Sequence, residues 1–245
     1  MAGVLPQLDK IKELALDLLF PQWCLGCGKE GAFLCASCRS SLPRIMPPVC
    51  PKCGRPQASG ILCPGCVGWQ SSLDGIRSPF KFDGVIRQAI HQLKYRNLRA
   101  LALPLAELLS NYLVDNPVPG EVLVPVPLHT KRLRERGYNQ SKLLAQELSK
   151  LTNLPMVDDC LMRQRHSLPQ ARTSSVEERR SNIAGAFACR SHNLRGKQVL
   201  LIDDVSTSGA TLDACAAALE ASRAISVWGL VLAREIKTLF ARSVD

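Results

Sequence analysis

Apolar runs and helical patterns alternate along the chain from about Leu73 onward. The run EVLVPVP at residues 121–127 is apolar and stopped by prolines, which predicts a buried strand. Val199–Ile202 and Ala224–Leu232 predict two further strands, because short apolar runs of this kind are typical of buried sheets. Helical patterns separate these runs, so the sequence predicts a mostly parallel α/β sheet flanked by helices.

Helices are predicted before and between these strands. SPFKF at residues 78–82 is expected to be a strand, and Asp83 follows it at a position suited to cap a helix. A second helix is predicted over about Arg99–Val114. A third is predicted over Ser141–Leu151, with Asn139 as its N-cap, because an Asn side chain can accept a hydrogen bond from the first turn.

The chain before this region has a different pattern. Residues 1–20 form an expected amphipathic helix, and residues 21–68 are rich in Cys, Gly and Pro with little apolar periodicity. No uncharged run reaches the ~18 residues that a membrane span requires. The domains expected are therefore the helix, the Cys-rich segment and an α/β domain over 73–245.

The Cys-rich segment contains four Cys-x2-Cys pairs. Such a turn lets two thiolates bind one metal ion at about 2.3 Å, and two turns complete a tetrahedral site with no open position. Eight ligands therefore predict two structural zinc ions, with redox dithiols or an iron–sulfur cluster as the competing interpretations. Sequential pairing is favoured and an interleaved arrangement is the alternative. The sequential ligand sets are Cys24, Cys27, Cys35 and Cys38, then Cys50, Cys53, Cys63 and Cys66.

Composition and charge narrow the class of protein. Hydrophobic residues make up 46% of the 245 residues, which provides a core and excludes a disordered chain. The formal net charge of +10 favours phosphate-rich or polyanionic partners. Charges interrupt the N-terminal segment, so it does not match a signal peptide, and a reducing, cytoplasmic setting is expected.

The stretch VLLIDDVSTSGATL at residues 199–212 carries the most specific chemistry. Its strand would bring Asp203 and Asp204 to the carboxyl edge of the sheet, where ligands bind in open α/β folds. The loop that follows offers hydroxyl and backbone N–H groups at a helix start, which is a typical phosphate site. Its residues are Ser206, Thr207, Ser208, Gly209, Ala210 and Thr211.

A phosphate in this loop would be repelled by the two carboxylates unless neutral groups lay between them. A sugar phosphate meets both requirements, because its phosphate can bind the loop while vicinal hydroxyls donate hydrogen bonds to the acids. An ordinary strand, turn and capped helix is the alternative interpretation.

These residues resemble the phosphoribosyl-pyrophosphate (PRPP) signature of type I phosphoribosyltransferases: four apolar residues, two acids, then a Ser/Thr/Gly loop. Other segments are similar to the ComF family of competence-associated proteins, which join an N-terminal zinc ribbon to such a domain. The resemblance implies a type I phosphoribosyltransferase fold, with a mostly parallel sheet, flanking helices and a small hood, after a double zinc ribbon. The similar segments are GIRSPFKFDGVIRQAIHQLKYRNLRALA (75–102), VPVPLHTKRLRERGYNQSKLLA (124–145) and RSNIAGAF (180–187).

The resemblance also implies roles for individual residues. Asp203 and Asp204 would bind the ribose hydroxyls, and the loop over 206–211 would bind the 5-phosphate. Arg132 and Arg136 would clamp the pyrophosphate, because a planar guanidinium matches phosphate oxygens in a bidentate manner; a solvated helix face is the alternative. The pyrophosphate would lie over the loop formed by Val126, Pro127 and Leu128, and Lys94 would add a point charge there.

The implied reaction displaces pyrophosphate from the anomeric carbon of PRPP through a cation-like ribosyl transition state. Magnesium bound with PRPP would neutralise the leaving group. Members acting on 6-oxopurines carry Asp at the position of Thr207, so this chain departs from them, and the acceptor of the phosphoribosyl group is left open. The polar segment 163–182 resembles the mobile hood of this superfamily, with His166 and Gln170 as acceptor-facing candidates or as a solvated loop.

Two alternative functions are not enzymatic. One is a single-stranded-DNA-binding module for DNA uptake, in which basic residues of the 131–142 segment follow a phosphate backbone. Aromatic residues are only 5% of the chain, so few are available for base stacking. The other is a zinc-stabilised scaffold for a competence helicase.

Overall fold

The structure is a computed structural model, and it describes residues 21–164, 182–183, 185–190 and 194–236. The chain divides into two compact units, Met1–Leu42 and Pro43–Asp245. The first unit contains a short helix, α1 (Ala36–Ser40), and a bridge between Trp23 and Glu30 that closes its first knuckle.

A five-stranded sheet, parallel at every pairing, forms the centre of the second unit. The strands are β1 (Gly75–Arg77), β2 (Phe80–Lys81), β3 (Val122–Pro125), β4 (Leu161–Arg163), β5 (Phe187–Cys189), β6 (Gln198–Ser206) and β7 (Ser226–Arg234). The order is β1-β7-β6-β3, and β2 also pairs with β7. The remaining two strands, β4 and β5, form a separate antiparallel pair. The predicted parallel α/β sheet is therefore confirmed.

The helices of the second unit include two that begin at caps predicted from the sequence. The helices are α2 (Gly84–Tyr95), α3 (Ala102–Asp115, preceded by a 3₁₀ turn at Arg99–Leu101), α4 (Thr130–Arg136), α5 (Gln140–Thr152) and α6 (Ala210–Ala221). Asp83 accepts a hydrogen bond from the backbone N of Gly84 at 2.8 Å. Asn139 accepts one from the backbone N of Ser141 at 3.0 Å. Both capping predictions are confirmed.

Several elements differ from their predicted extent, and two of the differences have a clear physical reason. Of the strand expected over 78–82, only Phe80–Lys81 forms a strand (β2), while β1 lies just before the predicted range and is separated from β2 by Ser78 and by Pro79, whose ring nitrogen has no hydrogen to donate to a sheet. The strand expected over Val199–Ile202 continues through both acids to Ser206, because β7 supplies a partner along that whole length.

Side chains from both faces of the sheet are buried. Val199 and Leu201 belong to a core cluster with Leu212 and Cys215 of α6, and all four are at most 1% exposed. Leu200 and Ile202 point to the opposite face, since successive residues of a strand alternate. In the described parts of the chain no helix is both long and apolar enough to cross a membrane.

The Cys-rich region is divided between the two units, with Cys50, Cys53, Cys63 and Cys66 in the second. Its chain packs directly on the sheet: the backbone N of Ile76 in β1 donates to the carbonyl of Lys52 at 2.8 Å. Gly54 has a φ of +70°, and a Cβ there would lie 2.4 Å from the carbonyl oxygen of Ile76. Glycine is therefore required at this close approach.

Candidate sugar-phosphate site

The two adjacent acids lie on β6 just beyond its last pairing with β3, where Ile202 meets Pro125. Because side chains alternate along a strand, their carboxylates diverge towards opposite faces. Asp203 Oδ1 accepts a hydrogen bond from Ser141 Oγ of α5 at 2.7 Å. Asp204 Oδ1 pairs with Lys94 Nζ of α2 at 2.8 Å.

Asp203 is perturbed by its surroundings. Burial raises the pKa of its carboxyl to about 7, and the neighbouring Asp204 charge adds to the increase. The hydrogen bond from Ser141 and the charge of Lys94 act in the opposite direction. Asp203 is therefore a carboxyl group that exchanges its proton near neutral pH.

Asp204 is the more buried of the two acids, at 2% exposure. Its Oδ1 is held by Lys94, but its Oδ2 is buried without a hydrogen-bond partner in the structure. A buried acceptor of this kind costs free energy until a donor reaches it. A ligand hydroxyl is one group that could supply the donor.

The Ser/Thr/Gly loop enters α6 with Gly209 as its N-cap. Gly209 has a φ of +83°, and a Cβ there would lie 2.9 Å from Ile76 Cδ1 and 3.1 Å from the Trp69 ring. The loop therefore packs closely against β1 and Trp69 at a position that only glycine can occupy without strain.

The four hydroxyls of the loop are not equivalent. Ser206 is buried and accepts a hydrogen bond from Arg234 Nη1 at 3.1 Å, and buried Ser208 accepts one from the backbone N of Ala210 at 3.4 Å. Thr207 is exposed and Thr211 is half-buried. The two serines thus brace the loop, whereas the two threonines remain accessible to a ligand.

The segment after β3 is largely occupied by protein contacts. The backbone N of Val126 donates to Ile202, and its carbonyl accepts from Asn139 Nδ2 at 2.9 Å. Pro127 has no N–H group. Of the three residues predicted to lie beneath the pyrophosphate, Leu128 therefore has the backbone amide best suited to an anion.

A cavity of about 470 Å³ adjoins the Lys94–Asp204 pair. Two predicted clamps, Arg132 and Arg136, line it. Arg136 donates to Gln140 Oε1 and lies over the Tyr95 ring, 5.3 Å from its centroid, so its guanidinium is already positioned. Arg132 is exposed on α4. The cavity lining comprises Lys94, Tyr95, Asn97, Arg132, Glu135, Arg136 and Tyr138.

The eight cysteines form two groups whose sulfur atoms lie within 4.8 Å of one another, and the grouping is the sequential one. The sets are Cys24, Cys27, Cys35 and Cys38 (the first cysteine site) and Cys50, Cys53, Cys63 and Cys66 (the second cysteine site). In each group two sulfurs approach to 3.6 Å. Tetrahedral zinc with Zn–S bonds of ~2.3 Å requires sulfurs about 3.8 Å apart, so both sites fit structural zinc.

The second cysteine site adjoins the Ser/Thr/Gly loop. Cys53, Cys63 and Cys66 line a small cavity together with Ser208 of the loop. Two arginines complete it: Arg55, which donates to the Thr207 carbonyl at 3.1 Å, and Arg234 of β7. The sequence patterns did not identify either arginine, because each lies far along the chain from the loop it contacts.

Several predicted features lie outside the described residues. They are the amphipathic helix over 1–20, most of the 163–182 hood with His166 and Gln170, and the C-terminal residues 237–245. Of the basic residues assigned to the DNA-binding alternative, Lys142 forms an ion pair with Asp158. Lys131, Arg132 and Arg134 are exposed on α4.

Comparison with family models gives two matches. A model for a double zinc ribbon domain matches residues 15–67. A model for a phosphoribosyl transferase domain matches residues 133–241, which include β6 and its acids.

Relatives match over most of their length. Competence protein ComFC of Bacillus subtilis is 30% identical over 209 residues, covering 82% of this chain and 84% of that protein. Competence protein F of Haemophilus influenzae is 31% identical over 211 residues, covering 82% and 90%. A solved structure, a purine phosphoribosyltransferase from Pyrococcus horikoshii, is 18% identical with a TM-score of 0.34, covering 57% of this chain and 77% of that one.

Proposed function

The chain belongs to the ComF family, and from that premise we propose that it binds PRPP and transfers its phosphoribosyl group to an acceptor, with loss of pyrophosphate. The observation that supports this most is the placement of Asp203 and Asp204 on β6 immediately before a Ser/Thr/Gly loop that opens α6. With this placement, the two acids would bind the hydroxyl end of one sugar phosphate and the loop would bind its phosphate end.

The 5-phosphate of PRPP would lie at the start of α6. Backbone N–H groups of a first helical turn point outward, and the helix dipole favours an anion there. Thr207 and Thr211 are the accessible hydroxyls of the loop and would donate to phosphate oxygens. Ser206 and Ser208 would hold the loop in shape through their contacts with Arg234 and Ala210.

The ribose hydroxyls would donate to the two acids. Asp204 Oδ2 is buried without a partner, and a hydroxyl donor would satisfy it. Asp203 would accept a second hydroxyl, while the hydrogen bond from Ser141 Oγ to its Oδ1 holds the carboxylate in place. Since a charged acceptor binds a donor more strongly than a neutral one, ribose binding favours the ionised form of Asp203.

The pyrophosphate would occupy the cavity lined by Lys94, Arg132 and Arg136. Magnesium enters with PRPP as part of the substrate and supplies charge neutralisation of the leaving group. The protein contributes position and electrostatics: the guanidinium of Arg136 is oriented by Tyr95 and Gln140 before a ligand arrives.

A 6-oxopurine acceptor would require an acid at the position of Thr207, and this chain has none there, so we propose a different acceptor. In this chain the residue instead has an exposed hydroxyl and a carbonyl bound by Arg55. Both relatives are named as competence proteins, and we propose a role in DNA uptake for this chain as well.

A second candidate is direct binding of single-stranded DNA by α4. The observation in its favour is the exposure of Lys131, Arg132 and Arg134 on one short helix. Arg132 could not serve both functions at once, since its side chain would face either pyrophosphate or a nucleic-acid backbone.

Calorimetric titration of the zinc-loaded chain with PRPP and MgCl₂ tests the main proposal. We expect saturable binding in the wild type and none in a variant carrying Asp203→Asn and Asp204→Asn. Asp115→Asn, on an exposed position of α3, is the control. Unchanged affinity in the double variant would overturn the proposal. An acceptor screen that follows pyrophosphate release would then identify the second substrate.

A further inference from the structure

Arg234 is one of the most deeply buried charges in the described chain. It is 1% exposed at the end of β7, and its Nη1 donates to Ser206 Oγ at 3.1 Å. Its Nε is buried without a hydrogen-bond partner. Among the described residues no carboxylate forms an ion pair with it. A buried guanidinium needs a negative charge nearby, because burial of an uncompensated charge is costly.

The second cysteine site would supply that charge. Four thiolates around one divalent zinc ion leave a net charge of about −2. Arg234 lines the same cavity as Cys53, Cys63 and Cys66, which measures only about 20 Å³. A zinc tetrathiolate in this site and the buried guanidinium would therefore form an ion pair directly behind the Ser/Thr/Gly loop.

A second arginine connects the same site to the next residue of the loop. Arg55 follows Cys53 by two positions, and its Nη2 donates to the Thr207 carbonyl at 3.1 Å. The bond fixes the orientation of the Thr207–Ser208 peptide, whose N–H belongs to the proposed phosphate cradle. Arg55 and Arg234 thus reach consecutive residues of the loop from one metal site.

Two further contacts continue this pattern along the motif. The Trp69 ring, just after Cys66, lies against Gly209. Ser71 Oγ donates to Asp213 Oδ1 of α6 at 2.7 Å. From Thr207 to Asp213, the Ser/Thr/Gly loop and the start of α6 are therefore contacted at intervals by the chain that folds around the second cysteine site.

We propose that zinc in the second cysteine site and a sugar phosphate in the loop bind cooperatively, with Arg55 and Arg234 as the positioning residues that couple them. Loss of this zinc, by chelation or thiol oxidation, would release the loop and weaken phosphate binding. The inference rests on the proposed function for the identity of the ligand, but the coupling of zinc to loop order does not require PRPP.

Hydrogen exchange of the full chain tests the coupling without a ligand. Arg55→Gln retains all eight cysteines, so zinc content should stay at two ions per chain by elemental analysis. We expect backbone amides of a peptide spanning 206–212 to exchange about tenfold faster in this variant. Arg55→Lys, which keeps a donor, should recover part of the protection. Arg195→Gln, at an exposed position before β6, should behave as the wild type.

Zinc affinity provides the reciprocal measurement. A Cys27→Ser/Cys35→Ser variant carries zinc in the second site only, and competition with a chelator can be followed in it with a colorimetric indicator. PRPP with MgCl₂ should raise the zinc affinity measured by equilibrium competition with the chelator about tenfold relative to MgCl₂ alone, since linkage requires that each ligand strengthen the binding of the other by the same factor. Arg55→Gln in this background should remove the difference.

The outcomes separate the two proposals. If the wild type does not bind PRPP, the proposed function fails, and the exchange experiment alone decides the coupling. If PRPP binds but exchange at 206–212 is unaltered in Arg55→Gln and zinc affinity is unaffected by PRPP, the coupling is overturned and the proposed function stands.

Discussion

Lys94 Nζ lies 2.8 Å from Asp204 Oδ1, so the base at the end of α2 is paired with the more buried acid of β6. The sequence motifs suggest separate roles for them, Lys94 at the pyrophosphate and Asp204 at the ribose. The structure makes them one unit: Lys94 lines the cavity proposed for pyrophosphate and neutralises the acid beside it. A ligand that bridges the two regions would contact both partners of a preformed ion pair.

Removal of Lys94 should therefore destabilise the fold as well as the site. Lys94→Met leaves Asp204 buried without its cation, and we expect a loss of about 2–3 kcal/mol, less than for a fully buried pair because the Lys94 side chain is 19% exposed. Urea unfolding measures this. Adding Asp204→Asn should restore most of the stability; if the losses of the two single variants simply add, the pair contributes nothing.

Asp203 should make stability depend on pH in an unusual direction. An unfolded carboxyl ionises near ~4, whereas burial raises the pKa of folded Asp203 to about 7. Between these values the native state binds more protons, so its stability falls as pH rises through the window. Asp203→Asn removes that cost and should stabilise the chain on the order of 2 kcal/mol at pH 7.5. At pH 4 the variant and the wild type should unfold at similar temperatures.

The same group should control affinity for PRPP. If the ribose requires ionised Asp203, binding is weakened about tenfold for each pH unit below 7, where the free protein holds the proton. Calorimetry between pH 5.5 and 8 measures the slope. Titrations at pH 6.5 in buffers of different ionisation enthalpy should also show proton release. A flat profile would mean that neutral Asp203 is competent to bind.

The parallel sheet and the order of the site along the chain could be predicted from the sequence, because both depend on local patterns. Short apolar runs identify buried strands, and the two acids followed by a Ser/Thr/Gly loop indicate one candidate anion site. Asp83 and Asn139 as helix caps are predictable for the same reason: the capping bond joins neighbours in sequence.

Contacts between residues far apart in sequence could not be predicted in this way. Arg55 and Thr207 are 152 positions apart, and no spacing rule relates a cysteine knuckle to a loop that follows a distant strand. The length of β6 was also underestimated, because the pairing partner β7, rather than the polarity of the acids, determines where that strand ends.

Gly209 should tolerate substitution less well than another glycine of similar backbone conformation. Gly209→Ala places a Cβ 2.9 Å from Ile76 Cδ1 at a φ of +83°, whereas Gly196 has a φ of +72° with open space around it. We expect Gly196→Ala to cost about 1 kcal/mol, the penalty for the backbone alone, and Gly209→Ala about 3 kcal/mol. Urea unfolding gives both values, and equal losses would show that the loop yields to the added methyl group.

Substitutions on α4 should distinguish transferase chemistry from DNA binding. Arg132 lines the cavity beside Lys94, and Arg134 on the same helix is exposed but does not line it. A bidentate contact with pyrophosphate predicts that Arg132→Gln weakens PRPP binding about tenfold while Arg134→Gln does not. A nucleic-acid backbone would contact both charges, so each substitution would weaken binding of a single-stranded oligonucleotide to a similar degree. Each would also remove roughly one phosphate contact, which reduces the slope of log K against log salt concentration by about 0.7. Titrating both variants with both ligands at two salt concentrations decides between the functions, because only the first predicts unequal effects of two neighbouring arginines.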